Sequence, residues 1–355
     1  MGKTRMRMIA GTGLVALLAL GLTACGSGAA PSGGTAPSGT SGGKTTVTVG
    51  TTPLVSSAPL YLAKDMGFWD KYGIQVDLKT FQAAQPISVA TAAGDLDVSA
   101  TGVTASLFNL YEGGKKMYLV ADKGRIWPGQ HFQAFLVSNK AWDAGLTSAQ
   151  GLKGKKVGIS QTGSTFDYLL GKYLEQNGMK LSDVTRTPLG ELTNMASALE
   201  SGQVDAAILP QPFADKLLNS HKAHLLVWLD DEVKTDLLAV AYSPKFAQNR
   251  DAAVRFMEGY IESTKWYMDH VFNAKNPKDP DYQKALSIIG KYTSEQPDQV
   301  AKELVYVDPQ GALWADNIQE QLDWYKAQGF VKGNVQAKDV IDTSFQQEAL
   351  KKLGQ

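Results

Sequence analysis

Between Thr45 and Leu229 the chain switches repeatedly between short β-branched runs and amphipathic stretches, in two successive series. The first predicts strands at residues 45–49, 74–78, 98–100 and 117–121, with helices at 59–66, 86–93 and 103–112. The second predicts strands at 156–159, 184–188, 206–209 and 225–229, with helices at 164–177, 195–201 and 213–220. Strands alternating with helices build largely parallel sheets covered by helices, so two such series imply two similar α/β lobes. Two apolar strand-like runs, 132–138 and 237–243, stand between and after the series and are read as the crossings of a two-segment hinge. Lobe I then comprises residues 44–137 plus 239–355, and lobe II residues 138–238. The remainder is helical, with periodic patterns at 251–272, 282–292 and 313–328; Trp266, Trp314 and Trp324 in them are read as packing residues.

The N-terminus reads as a secretion signal over residues 1–24. Lys3, Arg5 and Arg7 form a basic start, and the apolar run from Met8 to Leu22 is too short for a comfortable membrane span. It ends at Leu22-Thr23-Ala24-Cys25, which resembles the bacterial lipoprotein box, in which the Cys is lipidated and becomes the first residue of the mature chain. Residues 26–43 contain only Gly, Ser, Ala, Pro and Thr, too little apolar surface to fold. Such a tether spans roughly 20–25 Å on average. Lipid-anchored, extracytoplasmic localisation at a bacterial cell membrane is the expectation.

Composition removes several function classes. The 35 basic and 35 acidic residues balance, and loss of the signal leaves 32 against 35, so no basic surface argues for nucleic acid. Cys25 is the only cysteine, which excludes an intrachain disulfide. The histidines His131, His221, His224 and His270 have no acid at metalloprotease spacing, residues 158–162 lack the second Gly of a nucleophile elbow, and no P-loop occurs. An enzyme is not expected, and no metal or cofactor is implied.

Three stretches share a design: Leu54-Val55-Ser56-Ser57-Ala58-Pro59, Ser99-Ala100-Thr101-Gly102-Val103-Thr104 and Ser160-Gln161-Thr162-Gly163-Ser164-Thr165. Each follows a predicted strand and opens a predicted helix with small hydroxyl residues and Gly or Pro. A helix start exposes unpaired N–H groups at the positive end of a dipole, and ligands of open α/β sheets bind where strands end. Ser56, Ser57, Thr101, Gly102, Thr104, Gly163, Ser164 and Thr165 are therefore the expected socket for a small anion, provided the three starts face one cleft. A capping box explains Ser164 and Asp167 without a ligand; alternatively Asp167 receives an amino group. Gln211, between Pro210 and Pro212, is placed at the same rim, Trp127 is a candidate wall, and Arg125 is either a counter-charge or a solvated loop residue.

Ala58-Pro59-Leu60-Tyr61-Leu62-Ala63, followed by Gly67-Phe68-Trp69, resembles the opening helix and turn of the substrate-binding lipoproteins of bacterial ABC importers for nitrate, sulfonates, taurine and bicarbonate, a group that includes binders of thiamine-pyrimidine precursors. Gly73-Ile74-Gln75-Val76, Gly94-Asp95-Leu96-Asp97-Val98, Leu152-Lys153-Gly154-Lys155-Lys156-Val157-Gly158, Gly163-Ser164 with Tyr168-Leu169-Leu170, Ala198-Leu199-Glu200-Ser201-Gly202-Gln203-Val204-Asp205-Ala206-Ala207 and Pro212-Phe213 continue the match in order. The resemblance implies a bilobal type II periplasmic-binding fold that closes on its ligand and delivers it to a permease, which works with an ATPase. It also implies a small-molecule ligand, here a small organosulfonate or similar oxyanion. The alternative is an aminopyrimidine-type precursor, with Trp127 stacked on its ring and Asp167 accepting from its amino group. A ligand-sensing co-receptor is a third reading, and a monomer is expected.

Overall fold

Backbone pairing places ten strands in two five-stranded sheets, in a computed structural model that describes residues 44–355. The secretion signal, Cys25 and the tether lie outside the described residues. The first sheet runs β2-β1-β3-β10-β4, from β1 (Thr45–Thr51), β2 (Ile74–Thr80), β3 (Val98–Gly102), β4 (Tyr118–Ile126) and β10 (Thr235–Tyr242). The second runs β7-β6-β8-β5-β9, from β5 (Gln133–Ser138), β6 (Lys156–Ile159), β7 (Thr185–Pro188), β8 (Ala206–Pro210) and β9 (Ala223–Trp228). In each sheet three strands pair in parallel through helical crossovers, and one long apolar strand enters antiparallel beside them. Both sheets are mixed and flanked by helices, the α/β architecture expected.

The runs read as crossings have a more definite role. Residues 133–137, assigned to lobe I by sequence, lie in β5, which pairs with β8 and β9 of the second sheet. Residues 235–238, assigned to lobe II, belong to β10 and pair with β3 and β4 of the first. Every residue of both strands is buried, which is why they read as unbroken apolar runs rather than as alternating ones. The chain changes sheet in the connections on either side, between Ile126 and Gln133 and between Trp228 and Thr235. Asp230 ties these connections together, its Oδ2 accepting from Phe132 N–H at 3.0 Å and Gln133 N–H at 2.7 Å.

The strand predicted at 117–121 continues to Ile126, so Lys123 and Arg125 sit in a strand rather than a loop. Asp122, Lys123, Gly124 and Arg125 interrupt the apolar run, and that disguised its continuation. Arg125 Nε lies 3.4 Å from Asp122 and 4.0 Å from Asp236, and its Nη2 lies 3.6 Å from Asp308.

The C-terminal helices pack on both sheets' layers. The long helix Arg250–Tyr267 covers the first sheet with Phe256, Met257 and Tyr260 buried. The helix Ala315–Ala327 reaches across: Gln321 donates to the Asp236 carbonyl at 2.8 Å, Asn317 Oδ1 accepts from Thr235 Oγ1 at 2.7 Å, and Trp324 Nε1 donates to Glu175 at 2.8 Å. Trp324 lies so close to Gly171 that a Cβ there would clash with the indole. Its packing role is as expected; Trp266 stacks on His270 at the edge of the third core cluster.

Candidate ligand-binding site

The C-terminal ends of the parallel strands of both sheets converge on one cavity. From the first sheet come Thr52, Leu54 and Ser56 after β1, Gln82 to Ala84 after β2, and Thr101 and Gly102 at the end of β3. From the second come Ser160 after β6, Ser164, Thr165 and Phe166 at the next helix start, Leu192 beyond β7, and Pro210 ending β8; Phe132 and Gln133 at the entry to β5 and Leu238 of β10 complete the wall. Measured as space open to the centre of a water, the cavity holds about 50 Å³. That admits on the order of three or four waters, or one compact oxyanion head. Its wall carries hydroxyls, amides and apolar groups but no carboxylate.

Two helix starts face it. The helix α1 (Ala58–Asp65) is preceded by a 3-10 turn, Val55–Ser57, and among the described residues the N–H groups of Val55 and Ser56 have no protein acceptor. At the start of Thr165–Gln176 the N–H groups of Thr165 and Phe166 are likewise free. Free amides at a helix N-terminus are donors aimed at negative charge.

The third start does not join them. The helix Ala105–Glu112 donates its first N–H, from Ala105, to the Gly163 carbonyl at 2.9 Å, and a Cβ at Gly163 would lie 2.6 Å from Ala105 Cβ. Its first N–H is used in holding the two layers together. Gly163 has φ +73°, a left-handed conformation that glycine adopts without strain, and its own N–H goes to Asp167 Oδ2 at 2.9 Å. A second bridge, Leu192 N–H to the Gln82 carbonyl at 3.4 Å, lies on the other flank.

Of the expected socket, the structure brings Ser56, Thr101, Gly102, Ser164 and Thr165 to the cavity. Ser57 turns inward, its hydroxyl 2.8 Å from Thr51 Oγ1 and donating to the Thr52 carbonyl at 3.1 Å. Thr104 is fully buried behind the wall. Ser164 caps its helix, Oγ accepting from Asp167 N–H at 3.2 Å. Asp167 completes a variant of the capping box, with Oδ2 on Gly163 N–H and on Arg186 Nη1 at 2.7 Å. Burial pushes its carboxyl up from the ordinary range, opposed by the Gly163 bond and by Arg186. Gln211 caps the helix Phe213–Asn219 through Asp215, at 2.8 and 3.0 Å. Trp127 stacks on Tyr306 with 5.6 Å between centroids and carries the Lys234 ammonium 3.5 Å above its ring, outside the cavity wall. Arg125 is engaged by three aspartates and offers no free charge to a ligand.

Sequence reading missed Gln133 and Lys123. Gln133 Oε1 is buried in the wall without a partner among the described residues. Lys123, 2 % exposed, places its ammonium 3.1 Å from both the carbonyl and the Oγ of Ser56. Burial drives this lysine down to about 7, with Asp122 pulling the other way. No motif surrounds either residue: Gln133 reaches the wall because β5 joins the second sheet, and Lys123 reaches Ser56 because β4 joins the first.

The profile of the NMT1-like family matches residues 40–277. A Bacillus subtilis (strain 168) protein described as a candidate aliphatic sulfonates-binding protein is 27 % identical over 309 residues, covering 83 % of this chain and 86 % of its own. Among solved structures, the alkanesulfonate-binding protein SsuA of Xanthomonas axonopodis pv. citri, bound to MOPS, superposes with TM-score 0.68 at 20 % identity, over 84 % of this chain and 98 % of that one. The periplasmic nitrate-binding protein NrtA of Synechocystis PCC 6803 superposes with TM-score 0.70 at 16 % identity, over 87 % and 89 %. The periplasmic-binding architecture is therefore shared at low identity.

Proposed function

This chain belongs to the NMT1-like family, and from that premise we propose that it is the solute-binding component of an ABC importer whose ligand is a small organosulfonate or similar oxyanion. The observation that carries the reading is the cavity itself. It is lined by Ser56, Thr101, Ser160, Ser164 and Thr165, opens onto two sets of free helix-start amides, and has no carboxylate in its wall. Hydroxyls and amides at helix N-termini bind anions without a formal counter-charge at the contact. The binding functions named for the relatives support the same class, and a cavity of about 50 Å³ favours a compact head group over a ring. The aminopyrimidine reading loses its two residues, since Trp127 lies away from the wall and Asp167 is held by Gly163 and Arg186.

In this reading the chain is exported and held at the membrane by lipid on Cys25, while the folded part hands its ligand to a permease. No helix among the described residues is long and apolar enough to cross a membrane. The function is tested by calorimetric titration of the purified chain with taurine, ethanesulfonate, nitrate, bicarbonate and an aminopyrimidine. Sulfonate or nitrate binding at micromolar level is expected; binding of the aminopyrimidine alone would refute it. Anchoring is tested by incorporation of labelled palmitate in a bacterial host, expected in the native chain and lost in Cys25→Ser.

A further inference from the structure

An ammonium group has hydrogens to give and no lone pair to accept with. Lys123 Nζ lies 3.1 Å from Ser56 Oγ, so Ser56 must be the acceptor in that bond. The hydroxyl's own hydrogen then has to point elsewhere, and among the described residues it has no other partner. Ser56 lines the cavity. That hydrogen is available to a ligand in the cavity.

We propose that Lys123 is the residue that makes the site select anions: it fixes Ser56 as an obligate hydrogen-bond donor into the cavity and holds a positive charge one hydroxyl behind the bound oxygen. This deepens the oxyanion reading and rests on it. Lys123 is a positioning residue, since it meets the ligand only through Ser56.

The charge is poorly compensated. No carboxylate lies within 4.0 Å of Lys123 among the described residues. Asp122, its neighbour on β4, is the one charge with an appreciable pull on it, and that carboxylate is shared with Arg125 and the amide of Asp308. From the strand β10 comes Asp236, which faces Asp122 and Arg125. From the helix Arg250–Tyr267 comes Tyr260, whose hydroxyl donates to the Asp122 carbonyl at 2.7 Å. The helix Ser344–Lys352, which also packs on β4, brings Glu348, Lys351 and Lys352; Glu348 pairs with Arg250. The turn Val55–Ser57 brings no charge.

An ammonium buried in this setting loses its proton near neutrality, and an anion beside it restores the proton. A neutral amine can also accept from Ser56, which would turn the hydroxyl back from the cavity. Anion affinity should therefore fall as pH rises above about 7, by up to about tenfold per pH unit, and binding there should take up a proton.

The test is calorimetry on the purified full chain with ethanesulfonate and its neutral analogue ethanesulfonamide. Titrations run between pH 7 and pH 9, above the range where Asp122 titrates, in two buffers of different ionisation enthalpy. For the native chain the expected result is weaker ethanesulfonate binding at higher pH and a buffer-dependent enthalpy that reports proton uptake. Lys123→Met should lose about tenfold or more in ethanesulfonate affinity, lose the pH dependence, and discriminate less against ethanesulfonamide. Native binding that is independent of pH and buffer overturns the proposal, even if Lys123→Met does not fold. So does a folded Lys123→Met that binds as the native chain does. If the native chain binds neither ethanesulfonate nor nitrate at any pH, the oxyanion reading itself falls, which is a different result from a bound anion indifferent to Lys123.

Discussion

Gly102 and Thr165 meet across the cavity: a Cβ on Gly102 would lie 2.6 Å from Thr165 Cγ2. One residue ends β3 of the first sheet and the other opens a helix of the second layer, so the contact reports how near the two halves of the wall approach. Both residues line the site. The absent side chain at Gly102 is what lets the methyl and hydroxyl of Thr165 come close to the strand end.

Gly102→Ala should force Thr165 away from the strand end, because a 2.6 Å carbon contact cannot stand, and weaken ethanesulfonate binding by about tenfold, roughly 1.4 kcal/mol. Thr165→Ser deletes the opposing methyl and keeps the hydroxyl, so the double variant should recover most of the loss. Titration of the single and double variants decides it. A single variant that binds normally, or a double variant with no recovery, would mean that the contact does not govern the site.

Asp167 is read as a structural group. Its carboxylate holds Gly163 N–H and Arg186, and Asp167→Asn keeps an acceptor but removes the charge. The expected loss of stability is about 1–2 kcal/mol, as for a weakened charge-assisted bond. The ratio of taurine to ethanesulfonate affinity should not change. A selective loss of taurine would place the ligand's amino group at Asp167 after all.

Stability should fall as pH rises from about 4 toward 7. Burial pushes Asp230 up to about 7 and Asp122 up to about 6. In that window the folded chain retains protons that the unfolded chain has released, so raising pH favours unfolding. Lys123, lowered to about 7, acts in the opposite sense only above neutrality. Urea unfolding at pH 5 and pH 7 should give the higher stability at pH 5. Asp230→Asn should flatten the difference by on the order of 2 kcal/mol, because Asn keeps an acceptor for Phe132 and Gln133 without the buried charge. An unchanged slope in that variant would clear Asp230 of the effect.

Trp127→Ala should leave ethanesulfonate affinity within about twofold, since the ring packs on Tyr306 under Lys234 and away from the wall. Its thermal midpoint should drop through loss of that stack. A large fall in affinity at unchanged stability would bring Trp127 back to the ligand.

The sequence was sufficient for the local elements and their order. Alternating β-branched runs and amphipathic stretches located the strands and helices, because burial periodicity is written in neighbouring residues. The strand-to-helix turns at Ser56 and Ser164 were legible for the same reason: hydroxyls, Gly and Pro at such a turn act within a few residues of themselves. Asp167 shows the limit of that view. Three residues after Ser164 it reads equally well as a cap or a ligand contact, and only the fold shows that Arg186, on a separate strand, already pairs with its carboxylate.

Tertiary structure decided which turns share a cavity. Thr104 and Gly163 have the composition of site residues, yet the bond from Ala105, next to Thr104, to the Gly163 carbonyl joins the layers. Lys123 has the composition of a surface residue, yet β4 carries it under Ser56, 67 positions away in sequence. Local patterns follow from the backbone's own period. Which amides stay free, and which ammonium is stripped of water, depends on packing between segments far apart in the chain, and no short-range pattern encodes it.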